Sequence, residues 1–177
     1  MSNTLGLDEK PTEEQGQELD ANYNELAAQT ANGASWFYWI AGLSAINSLV
    51  YLSGSDWSFL AGLGLTQLAD GFVDAAIENG VPAAVKGVAV VFNFALVAMF
   101  GFFGYYAGKR FSAAFLVGIV IYVLDGLLLL LLGAWPSAGF HAFALFFIIR
   151  GFLACRKLNT YDAGRAFQAP PPPPVAT

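Results

Sequence analysis

Charge is scarce in this chain, and with it goes most of the chemistry that charge makes possible. Only 12% of the 177 residues are Asp, Glu, Lys or Arg, and there is one Cys and one His. Eight Lys and Arg, placed mostly beside apolar stretches, make no basic footprint, so no nucleic-acid partner is expected. Cys155 stands alone and has no partner for an intrachain disulfide. A lone His and a lone Cys do not supply a His/Cys metal set, and neither GxSxG nor HExxH occurs. Gly62-Leu63-Gly64 is half of a dinucleotide fingerprint, without the third glycine. No catalytic residue, cofactor or metal is therefore expected. The nearest approach to a hydrolase is a Ser44 and His141 pair, and Ser44 is expected about two turns deeper than His141.

What the chain has in excess is apolar residues, 56% of the total, far outside the range of soluble globular domains. The expectation is an all-α integral membrane protein with four transmembrane helices, at about 34–53, 83–107, 111–135 and 137–155. Residues 1–33 hold seven acids against Lys10 and read either as a solvated acidic tail or as a short helix opening at Pro11. They contain no basic stretch followed by an apolar core, so the first apolar segment is expected to be retained. Residues 158–177 end in Pro170 to Pro174 and read as a disordered tail.

The segment 58–79 is too interrupted by Gln67, Asp70 and Asp74 to span. It is expected as an outer interfacial or re-entrant helix, with Leu60, Leu63, Leu68 and Phe72 toward lipid and Asp70, Asp74 and Glu78 toward water.

Orientation follows from the cations. Lys10, Lys109, Arg110, Arg156, Lys157 and Arg165 fall on one side and Lys86 alone on the other, which places the chain in the cytoplasmic membrane with both termini on the cytoplasmic side.

Two full charges lie inside the last two apolar stretches, Asp125 and Arg150. A charge at bilayer depth costs about 2.5–3.5 kcal/mol on insertion scales and normally finds a partner. The stretches join at Trp135-Pro136 and must be antiparallel neighbours, so Asp125 and Arg150 are expected to pair. With Asn47 and Asn93 at similar depth they form an expected intramembrane polar layer of Asn47, Asn93, Asp125 and Arg150. His141, nine residues before Arg150, is on the opposite side of the helix and is expected outside that layer.

These features point to a non-enzymatic accessory or scaffold subunit whose partners are the lipid bilayer and other membrane proteins or further copies of itself. The alternative is a small oligomeric ion or proton channel using the polar layer.

Overall fold

The computed structural model describes residues 13–53 and 63–168. Lys10, the turn at Trp57, Leu60, Gly62 and the run Pro170 to Pro174 lie outside them. The described residues form five helices: α1 (Glu13–Leu52), α2 (Gly64–Glu78), α3 (Lys86–Gly108, preceded by a 3-10 turn at Ala83–Val85), α4 (Ser112–Leu131) and α5 (Trp135–Gln168). Among the described residues three stretches are long and apolar enough to cross a membrane: Ala83–Gly108, Ser112–Leu131 and Trp135–Arg165. The fold is thus all-α and of membrane type.

α1 packs against α3 and α5, and α4 against the same two, giving the cyclic order α1, α3, α4, α5. Phe37 of α1 is the hub, fully buried with Phe100, Phe103 and Phe115 at centroid distances of 6.2, 6.0 and 5.9 Å. It fits because Gly118 faces it: a Cβ there would lie 2.5 Å from the ring. α1 and α5 approach closely where Gly33 meets Gly151, and a Cβ on either would fall within 2.6 Å of the opposing Cα.

The helices end for local reasons. α2 stops at Gly80 (φ 92) and α4 at Gly133 (φ 74), each followed by an amide that reaches back five residues, Val81 to the Ala76 carbonyl and Ala134 to that of Leu129. These are Schellman ends, for which a left-handed residue is required. Gly133 therefore closes α4 four residues before the expected boundary at Trp135. The end of α3 uses the same motif with Arg110 (φ 64), and here the residue is not glycine.

Both long helices overrun the boundaries expected from composition. α1 carries the acidic stretch from Glu13 onward as one continuous helix, and α5 continues past Cys155 to Gln168. The overruns pack on each other. Arg110 Nη1 donates to the Tyr23 hydroxyl and to Asp162 Oδ2, both at 2.9 Å, and Tyr23 donates to Asp162 Oδ1 at 3.2 Å. The bond to Tyr23 raises the Arg110 pKa further, so this cation stays charged at any physiological pH. Cys155 and Asn159 donate to the Arg110 carbonyl at 3.3 and 3.1 Å, which accounts for the strained left-handed backbone being held.

Candidate functional site

The buried positions of α4 are Phe115, Gly118, Tyr122, Asp125, Gly126 and Leu129, a stripe of three- and four-residue steps that carries Asp125 inward. On α5 the inward stripe runs through Ala138, His141, Ala144, Ile148, Gly151 and Cys155. His141 faces Asp125, and Arg150 does not. The expected pair of Asp125 and Arg150 is not formed: Arg150 is exposed, with its guanidinium over the Phe146 ring at 5.7 Å. The half-turn separation of His141 from Arg150 is as expected, but the small residues on the His141 side bring that side to α4. Gly126 marks the close approach, since a Cβ there would lie 3.3 Å from His141 Cβ.

Asp125 is occupied on both oxygens. His141 Nε2 lies 2.8 Å from Oδ2, with the two side chains 1% and 0% exposed. The Gly64 amide donates to Oδ2 and the Leu65 amide to Oδ1, each at 2.8 Å. The Leu63 amide donates to Ser44 Oγ at 2.9 Å. A helix start leaves four amides without intrahelical partners, and Leu63, at the cap position, has no side-chain oxygen to offer. Asp125 and Ser44, from two other helices, do that work, and the carboxylate sits against the positive end of the α2 dipole. Gly64 is needed for the approach, because a Cβ there would lie 2.6 Å from Leu129.

The protons can be counted. His141 Nδ1 lies 2.9 Å from the Ser137 carbonyl, which only accepts, so Nδ1 carries a hydrogen. One further proton lies between Nε2 and Oδ2. Whether it resides on nitrogen or oxygen, the pair is neutral as a unit, and an isolated buried charge is avoided. The Tyr122 ring stacks on the imidazole at 4.2 Å and 20°.

Asn93, fully buried on α3, donates through Nδ2 to Asp70 Oδ1 at 2.8 Å. Asp74 accepts from the Tyr51 hydroxyl at 2.8 Å and lies 3.5 Å from Lys86 Nζ. Asp70 and Asp74, expected toward water, also bond to α3 and α1, and Asp74 stays half-exposed, whereas Leu63, expected toward lipid, is fully buried in protein. Leu68 and Phe72 are exposed as expected. Asn47 is buried on the inner face of α1. The structure therefore gathers Asn93 and Asp125 around α2, adds His141 and Ser44, and leaves Arg150 out. Two buried polar atoms have no hydrogen-bond partner among the described residues, Asn93 Oδ1 and the Tyr122 hydroxyl.

Ser44 and His141 do not act on each other. The serine oxygen takes the Leu63 amide and both imidazole nitrogens are engaged elsewhere. Among the described residues no three of His, Cys, Asp and Glu converge as a metal site would require. Compared with known proteins, the sequence matches no family model, no curated protein and no solved structure.

Proposed function

We propose that the chain is a four-span protein of the cytoplasmic membrane, both termini inside, that serves as a non-enzymatic accessory or scaffold subunit. In this reading α2 is a re-entrant helix inserted from the outer face. The observation that carries it is the complete use of Asp125: two consecutive amides at the start of α2 and the His141 imidazole of α5 engage the carboxylate, which ties α2 and α5 to α4. A group spent on holding architecture is what a scaffold needs. The orientation is supported by Lys109, Arg110, Arg156, Lys157 and Arg165 gathering at the end of the molecule opposite Lys86. The test is co-purification in mild detergent followed by mass spectrometry. A stoichiometric membrane-protein partner, or a defined oligomer without conductance, is the expected result, and a solitary monomer overturns the reading.

A second reading, a small oligomeric proton or ion conductor, is favoured by the unpartnered Asn93 Oδ1 and Tyr122 hydroxyl, because a buried polar atom without a bond costs about 1–3 kcal/mol and marks a place where water or an ion is received. Flux through reconstituted vesicles that Asp125→Asn abolishes, with the fold retained, would establish it.

A further inference from the structure

Arg150 is left without the acid that the sequence offered it. The ion pairs among the described residues are Lys86 with Asp74, Arg110 with Asp162, His141 with Asp125 and Arg165 with Asp20, and neither Arg150 nor Lys157 has a place in them. Arg150 is five residues, about 7.5 Å along the helix axis, on the membrane side of Cys155, which itself contacts Ser112 at the start of α4. An unpaired guanidinium at that level calls for an anion.

The surroundings say which kind. Arg150 and Lys157 are two turns apart on one side of α5 and face a groove along α1. Its membrane-side part is a cleft of about 70 Å³ lined by Gln29, Asn32, Phe147 and Arg150. Its outer part, about 400 Å³, shares Gln29 and is lined also by Glu25, Lys157 and Tyr161. Among the described residues Glu25 is the one acid lining either cleft, and its Oε1 accepts from Gln29 Nε2 at 2.9 Å. Further toward the membrane centre the groove becomes aromatic: Trp36 stacks on Phe147 at 5.0 Å and meets Phe143 edge-on at 5.5 Å. The sequence of surfaces, from the end bearing Lys157 inward, is polar and cationic, then cationic with amide donors, then aromatic.

We propose that this groove binds an anionic phospholipid, its phosphate between Arg150 and Lys157 and an acyl chain along Trp36, Phe143 and Phe147. Gln29 and Asn32 supply amide donors beside the phosphate, and Tyr161 stands at the headgroup level. A free phosphate ion would satisfy the cations but not the aromatic floor. The proposal rests on the membrane reading of the fold.

The test uses full-length protein, delipidated in detergent and examined by native mass spectrometry with phosphatidylglycerol, phosphatidylcholine or inorganic phosphate added, alongside flotation with vesicles. Wild type is expected to retain phosphatidylglycerol over phosphatidylcholine. Each cation removed, in Arg150→Gln and Lys157→Gln, is expected to weaken that retention about fivefold, from the usual contribution of one basic side chain at an anionic surface. Arg150→Lys should keep most of it, Glu25→Gln should strengthen it, and Lys86→Gln, at the other end of the molecule, should leave it unchanged. Equal retention of the two lipids, an unaffected double variant, or full displacement by millimolar inorganic phosphate each overturn the site while leaving the membrane reading in place. Failure to float with vesicles overturns both.

Discussion

Asp125 accepts from two backbone amides and meets an imidazole in a place without solvent, so each substitution there has a calculable consequence. Removing one partner of a buried pair typically costs about 3–5 kcal/mol because the other is left uncompensated. Asp125→Asn and His141→Leu are each expected to lower unfolding stability in detergent by that amount, with the double variant less destabilised than the sum of the two. Arg150→Gln, at an exposed position, is expected to stay within about 0.5 kcal/mol of wild type. A large loss on Arg150→Gln with none on His141→Leu would restore the pairing that the sequence suggested. What was legible at this scale was that Asp125 needs a partner; the partner's identity was not. Depth alone favoured Arg150, whereas the inward stripe from Ala138 through Cys155 selects His141, and that stripe is visible in the sequence to anyone who weighs small residues above charge. The two amide partners, Gly64 and Leu65, left only a faint trace, because a backbone donor has no residue type. The trace is Thr66, whose hydroxyl bonds back to the Leu63 carbonyl at 2.6 Å at the first turn of a helix lacking its own cap.

Among the helices, contact is decided by glycines that differ sharply in what surrounds them. Gly151 faces the α1 backbone at Gly33, where nothing can yield, so Gly151→Ala is expected to destabilise by about 1–3 kcal/mol through separation of α1 and α5. Gly16 has nothing within 4 Å of a built Cβ, so Gly16→Ala should stabilise the exposed part of α1 by about 0.5–1 kcal/mol. Thermal unfolding of the two variants under one detergent condition compares them directly, and like signs would contradict the helix crossing described above. The positions of the helices were legible from apolar runs and turn residues, and their ends less so. α1 was expected to change character near residue 33 because composition changes there, but the stretch from Glu13 to Leu52 contains no proline, and α5 offers the amphipathic overrun a partner. Periodicity within one segment does not reveal a neighbour 139 residues away, which is the separation of Tyr23 from Asp162.

For the molecule as a whole the distribution of cations makes a prediction about sidedness. In a Cys155→Ser background, a cysteine replacing Asn79 should react in intact cells with a thiol reagent that does not cross membranes, and one replacing Glu18 should react only after permeabilisation. The opposite pattern would invert the orientation, and labelling of both from outside would change the number of spans. Membrane class and helical content were legible at this scale from composition, while the contacts that hold α2 among the other helices were not, since they depend on partners far along the chain. That dependence has a consequence for how the protein is made. The amide of Gly64 waits for a carboxylate 61 residues downstream, and the carboxylate in turn waits for His141. At about 5–20 residues per second of synthesis, Asp125 appears roughly 3–12 s after Gly64 and His141 later still. During that interval Ser44 is already in place for the Leu63 amide, but the Gly64 and Leu65 amides lack Asp125, and amides without partners are not stable in hydrocarbon. In the proposed re-entrant reading the segment therefore waits in an aqueous setting while α3 and α4 are threaded past it, and enters last, so chains arrested before His141 should still expose α2 to protease that completed chains resist.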